Sequence, residues 1–378
     1  MRPLGIYIHI PFCVRKCLYC DFVSHPIESV REMECYCAVL RRDIIRQSRL
    51  YPGYRVRTIY LGGGTPSLLS GTQLKNILQR LRRDFAVSLD AEITLEMNPA
   101  TVSEKTLRSY KKAGVNRISL GVQSFHGRYL KVLGRAHTVR DAHRAFSFVR
   151  NAGFDNISID LMYGLPCQSV RDWNNDLSLA IKENPEHISF YDLTLEKGTP
   201  LSVIKKTLSL PDEQSQIAMY TAGCNRLQAA GYRHYEISSF AKPGKESRHN
   251  RIYWCNEEYL GVGAAAFSYM RGVRFRWSNN VQTYEQQVQN GRIRRYARES
   301  LDPRKRAEET IMLNLRLLAG FSLAELKKRE DMIIDEQLLA RLRGLVEDKL
   351  ITGSGSRFRL TKRGILLYNT VAERILGD

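Results

Sequence analysis

The chain has 378 residues, of which 43% are hydrophobic and 26% charged, and its formal net charge is +19. That length fits about two to three folded units, and the composition excludes the disordered, fibrous and low-complexity classes. No apolar run approaches the ~18 residues of a membrane span and no secretory leader is recognisable, so a cytoplasmic chain is expected.

The first predicted strand, "GIYIHIP", runs into "CVRKCLYC", which sets Cys13, Cys17 and Cys20 within one loop. A reducing compartment disfavours disulfides, so closely spaced thiols point to metal binding or catalysis. Three thiolates hold three corners of a cubane iron–sulfur cluster and leave the fourth iron open to another ligand. A zinc site completed by His9 or Asp21 is the alternative, but the usual paired Cys-x-x-Cys arrangement is missing. Cys35, Cys37, Cys167, Cys224 and Cys255 lack such spacing and read as buried small hydrophobes.

From there to about residue 195 the chain repeats a β-branched run, a Gly- or Pro-containing turn and an amphipathic helix. The further strands are "RTIYLGG", "AEITLEMNP", "RISLGVQS", "NISIDLMYGLP" and "HISFYDLTL", with helical patterns around 28–48, 71–83, 103–113, 138–152, 169–183 and 211–231. Six βα units predict an α/β fold with a parallel sheet and right-handed crossovers. Polar or glycine-rich groups stand at nearly every strand's C-terminal end, as in a β/α barrel, and the dinucleotide fingerprint of an open sheet is absent. The expected fold is therefore a partial (β/α)6 barrel over 1–231.

Residues 232–300 turn irregular, with a hairpin pattern in "YMRGVRFRW". From 301 to 378, two helices and a ribbon turned at "TGSGS" are winged-helix-like. The second of these helices mixes acidic and basic residues, so a packing module is favoured over a nucleic-acid reader. Positive charge concentrates in 61–150, with 15 Lys and Arg against 6 Asp and Glu. Its clusters lie on helical patterns and read as solvated faces, so nucleic acid is disfavoured as a partner.

Cys-x-x-x-Cys-x-x-Cys after the first strand of a partial barrel resembles the radical S-adenosylmethionine superfamily. The resemblance implies a [4Fe–4S] cluster on Cys13, Cys17 and Cys20, with the open iron chelated by S-adenosylmethionine, whose reductive cleavage yields a 5′-deoxyadenosyl radical. "YIHIPFC", "LGGGTPS", "GVQSF" with "LGRAH", and "IDLMYGLP" are similar to the coproporphyrinogen-dehydrogenase branch, which holds an anaerobic oxidase of haem synthesis and a group of haem chaperones. That similarity implies Tyr7, Tyr19, Gly63, Gly64, Thr65, Glu96, Gln123, Arg135 and Asp160 around the cofactor.

Within the branch, the oxidase carries a longer segment before its cluster loop and a further cysteine where this chain has Phe22. Both departures disfavour dehydrogenase activity. "HNRIYW" resembles an element of the chaperone group, which implies haem contacts from His249, Tyr253 and Trp254; a packing cluster is the alternative. The implied function is haem binding and transfer to acceptor proteins, with peripheral membrane contact and dimerisation left open.

Overall fold

The computed structural model describes residues 1–354 and 357–377. Its centre is a run of six parallel strands, β1 (Arg2–Ile10), β4 (Tyr54–Gly63), β5 (Ala86–Met97), β6 (Arg117–Gln123), β7 (Ile157–Tyr163) and β8 (His187–Asp192), adjacent in chain order. Between β1 and β4 the short β2 (Phe12–Cys13) and β3 (His25–Pro26) pair in parallel and close the base of the cysteine loop. The crossover helices are α1 (Val30–Leu50), α2 (Gly71–Asp84), α3 (Glu104–Ala113), α5 (Val139–Asn151) and α6 (Val170–Glu183), with a short α4 (Gly127–Val132) before α5. Serine or threonine caps start the long ones: Ser70, Thr138 and Ser169 form capping boxes, which satisfy two orphan N–H groups at each helix start.

The sheet runs on at both edges. Past β8, after α7 (Pro200–Val203) and α8 (Glu213–Ala229), come the antiparallel β9 (Arg233–Glu236) and β10 (Ser239–Ala241). Past β1, after α9 (Arg248–Trp254), β11 (Tyr259–Val262) pairs in parallel, followed by the antiparallel β12 (Phe267–Met270), β13 (Val273–Arg276) and β14 (Tyr296–Ser300), with α10 (Val281–Gln289) between the last two. The expected hairpin in "YMRGVRFRW" is β12–β13. Arg271 and Gly272 form its two-residue turn, both at positive φ as that turn requires.

Each central strand divides its sides by chemistry. Ile6, Ile8 and Ile10 of β1, Ile59 and Leu61 of β4, and Ile118 and Leu120 of β6 are fully buried against the helices. The intervening residues are polar and face the inside of the barrel: Tyr60, Glu96, Arg117, Ser119, Ser158, Asp160, His187 and Ser189 all line an internal cavity. The apolar layer thus lies outside the strands and the polar lining inside them.

The segment expected to be irregular contains the helix α9, which packs against the inner face of the barrel rather than its outside. His249 stacks on Tyr60 with ring centroids 5.1 Å apart. Glu92 accepts the N–H groups of Arg248 and His249, at 3.1 and 3.0 Å, at the start of the helix. Leu260, Val262, Trp277 and Tyr284 of the same segment belong to the barrel's own core.

The C-terminal part builds a second apolar core around α11 (Pro303–Asn314), the short α12 (Leu323–Leu326) and α13 (Glu336–Glu347), with Leu338, Leu342 and Leu345 buried in it. A three-stranded sheet of β15 (Phe321–Ser322), β16 (Ile351–Ser354) and β17 (Arg357–Leu360) completes the winged-helix-like shape; residues 355 and 356 of the expected turn lie outside the described residues. Two further helices, α14 (Lys362–Leu366) and α15 (Tyr368–Leu376), end the chain. Among the described residues no helix is long and apolar enough to cross a membrane.

Candidate functional site

The strand ends and the cysteine loop enclose a cavity of about 540 Å³ that runs from the thiols down to α9 and Arg316. Cys13, Cys17, Cys20, Tyr19, Gly63, Gly64, Thr65, Glu96, Gln123, Arg135, Asp160 and Trp254 all line it. Tyr7, His249 and Tyr253 do not; they stand in the wall behind it.

The cysteine loop is held at several points. Cys20 N–H turns back to the Cys17 carbonyl at 3.3 Å, Leu18 N–H bonds the Leu133 carbonyl at 3.0 Å, and Leu201 N–H bonds the Leu18 carbonyl at 3.0 Å. His9 donates from Nε2 to the Val23 carbonyl at 2.8 Å, which leaves Nδ1 to accept the Tyr7 hydroxyl at 3.0 Å. Tyr7 therefore supports the loop through His9. Burial pushes the Cys20 thiol up to about 11. No three His, Cys, Asp or Glu side chains among the described residues gather around one ion-sized position.

Beside the thiols, Arg135 donates from Nη1 to Cys17 Sγ at 3.4 Å and from Nη2 to the Gly121 carbonyl at 2.6 Å. Its Nε has no protein partner. A buried, half-satisfied guanidinium next to a sulfur ligand fits an anionic group such as a carboxylate.

Gly63 and Gly64 form the opposite lip. Gly63 has φ +105°, and an added Cβ would lie 2.4 Å from the His9 ring; at Gly64 it would lie 2.6 Å from the Phe12 carbonyl oxygen. Only glycine gives this close approach. Behind them, Glu96 accepts the Tyr60 hydroxyl at 2.7 Å and the Gly63 N–H at 3.2 Å. Burial pushes its carboxyl up to about 7, with the Tyr60 bond opposing. Asp160 accepts Ser119 Oγ at 2.8 Å and Ser158 Oγ at 3.1 Å, and burial likewise raises it.

Gln123 is 5% exposed and has φ +67°, at a register shift between β6 and β7. The Tyr191 hydroxyl bonds its Oε1 at 2.8 Å. A non-glycine residue held in the left-handed region at a strand end re-aims its side chain, here into the cavity.

At the far end, Trp254 presents an Nε1–H with no protein partner, and the Arg316 guanidinium lies 4.2 Å over its ring. Arg316 Nη2 stands 3.8 Å from Glu236, itself only 2% exposed. His249 is fully buried, with Nδ1 2.7 Å from Thr58 Oγ1 and Nε2 2.9 Å from the Tyr253 hydroxyl, and burial pulls its pKa down to about 3. Both ring nitrogens are thus engaged within the wall. Phe22 is exposed at the cavity mouth.

Sequence reasoning missed Arg117, His187, Glu236, Asn250 and Arg316, all of which line the cavity. The inward phase of β6 and β7, which already marks Gln123 and Asp160, also marks Arg117 and, by extension to β8, His187. Arg316 carried no such signal, since it reaches the cavity from beyond the barrel.

Residues 7–180 match the family model of the radical SAM superfamily, and residues 301–367 that of the HemN C-terminal domain. The chain is 35% identical to the heme chaperone HemW of Escherichia coli (strain K12), covering 100% of this chain and 99% of that one. It is 36% identical to the heme chaperone HemW of Bacillus subtilis (strain 168), over 98% and 99%. Its fold is similar to that of coproporphyrinogen III oxidase (HemN) from E. coli, with TM-score 0.86 and 23% identity over 99% of this chain and 90% of that one. With the cysteine loop, the glycine lip and the polar lining in one cavity, and with this match along the whole length, the chain belongs to the HemW family of the radical SAM superfamily.

Proposed function

We propose that the protein is a haem carrier: it binds haem and hands it to acceptor proteins in the cytoplasm, with a [4Fe–4S] cluster and S-adenosylmethionine bound in the barrel. The observation that carries the reading is the full-length similarity to relatives named heme chaperone HemW. The cavity supports the cofactor half of it. The cofactors supply one-electron chemistry at a sulfonium when bound; the protein's residues supply position.

Cys13, Cys17 and Cys20 are assigned to the cluster. Arg135 then faces the carboxylate of the cofactor's amino acid end, Glu96 and the Gly63–Thr65 lip its amino group, and Asp160 its hydroxyls. Tyr19 and Gln123 close the sides, and Tyr7 acts through His9 on the loop. For haem, Trp254 offers a flat apolar face at the cavity's far end, with His249 and Tyr253 fixing α9 behind it. Coordination of iron by His249 would require α9 to give up the Thr58 or Tyr253 bond. In this scheme residues 1–231 form the cofactor barrel, 232–300 its extension carrying α9, and 301–378 a separately cored module.

The test is anaerobic reconstitution followed, on one sample, by haem titration and by incubation with coproporphyrinogen III. Stoichiometric haem uptake with a Soret shift and no protoporphyrinogen is expected. Turnover of the porphyrinogen, or no Soret shift at micromolar haem, would overturn the carrier reading.

A further inference from the structure

One stretch of the cavity wall contains a run of side chains whose hydrogen bonds share one sense once Ser158, which donates to Asp160, takes the His187 Nδ1 proton. Ser247 N–H donates to the Tyr235 hydroxyl oxygen at 3.2 Å, so the Tyr235 proton is free for another acceptor. His187 Nε2 stands 2.8 Å from that oxygen. A histidine that accepts at Nε2 carries its proton at Nδ1. There Ser158 Oγ receives it at 2.8 Å, and Ser158 turns its own proton onto Asp160 at 3.1 Å.

All of these links are enclosed: Ser158, His187 and Tyr235 are at most 7% exposed. His187 stays neutral, since burial and the nearby Arg117 cation both oppose a second proton. The run begins at the N-cap of α9, where Ser247 also accepts the Asn250 N–H at 3.3 Å. It ends at the carboxylate assigned above to the cofactor.

We propose that Tyr235, His187 and Ser158 are positioning residues, a directional relay that fixes Asp160 as a charged acceptor for the cofactor and ties it to the position of α9. The proposal rests on the placement of Asp160 at the cofactor. Polarised chains strengthen each successive bond, and here every proton points at Asp160. Loss of the Tyr235 hydroxyl removes the constraint on the His187 tautomer. With the proton on Nε2, His187 takes the Ser158 hydroxyl as its donor and deprives Asp160 of one hydrogen bond.

The test uses the full chain. Histidine 15N NMR of the wild type is expected to show His187 protonated at Nδ1 alone, and Tyr235→Phe to show a mixture. S-adenosylmethionine affinity of the cluster-loaded protein should fall about three- to tenfold in Tyr235→Phe and in Ser158→Ala, the weight of one hydrogen bond, with iron content unchanged. If Asp160→Asn weakens the cofactor while both relay variants bind within twofold of wild type, the relay is wrong and the cofactor placement stands. An Nε2–H tautomer in the wild type overturns the relay even if the variants fail to fold. If Asp160→Asn binds as tightly as wild type, the cofactor placement fails, and the relay's role fails with it.

Discussion

Tyr60 donates its hydroxyl to one oxygen of Glu96 at 2.7 Å, and the Gly63 N–H holds the other at 3.2 Å. The carboxylate is fixed in direction yet, without a ligand, carries no compensating cation, so burial lifts it to about 7. The sign of the pH dependence follows. In the ligand-free protein the stabilising form is the neutral one, present below the ordinary carboxylate range and lost as pH rises through about 7. Accepting the N–H groups of the cofactor's amino nitrogen is strongest from the charged form. S-adenosylmethionine affinity should therefore rise with pH, by up to about tenfold per unit between about pH 5.5 and 7, and Glu96→Gln should bind weakly with a flat profile. Isothermal titration across that range checks both.

Three thiols and only three should govern the iron. Reconstituted wild-type protein is expected to hold about four irons and four sulfides per chain. Cys13→Ala, Cys17→Ala and Cys20→Ala should each lose most of them. Cys35→Ala and Cys167→Ala, at positions that are exposed and not buried as the sequence suggests, should retain them. Iron and sulfide assays on anaerobically prepared protein decide the matter, and zinc in place of iron would count against the whole assignment.

The glycine lip offers a steric test. Gly63→Ala forces a Cβ against His9 at a left-handed backbone position, so the variant should lose at least about 1 kcal/mol of stability. Because His9 also holds the cysteine loop at Val23, iron incorporation should fall as well. Gly53→Ala has the same backbone sign but open space around it, and serves as the control measured by urea unfolding and iron content.

His249 separates support from ligation. His249→Ala removes a buried ring and leaves Thr58 and Tyr253 without their partner, a loss of about 2–4 kcal/mol in urea unfolding. Its pKa is held near 3, so the stability it contributes is present above about pH 6.5 and is lost as pH falls toward 3. His249→Gln should recover part of the stability. If the haem Soret band of that variant matches wild type, the iron ligand is another residue.

Much of the barrel was legible because two periodicities are superposed in it. The alternation in "RISLGVQ" and "SIDLM" assigns each residue a side, and the helix caps Ser70, Thr138 and Ser169 mark where the next element begins. The thiol spacing and the glycine lip carry chemistry in a few contiguous letters. What escaped was long-range. The segment 248–254 has too few residues to show a helical period, and beside its local N-cap Ser247 its first two N–H groups are held by Glu92, 156 positions before Arg248. Arg316 reaches Trp254 from the edge of the second core, which no local pattern announces.

Since each central strand reserves its greasy side for the helices, the residues that make the chain fold and those that recognise its ligands are different letters of the same words. Lumen positions outside hydrogen-bonded sets can be rewritten at small folding penalty, provided that every polar atom, old or new, keeps a mate. A scaffold partitioned in this way can acquire a new guest without a new architecture.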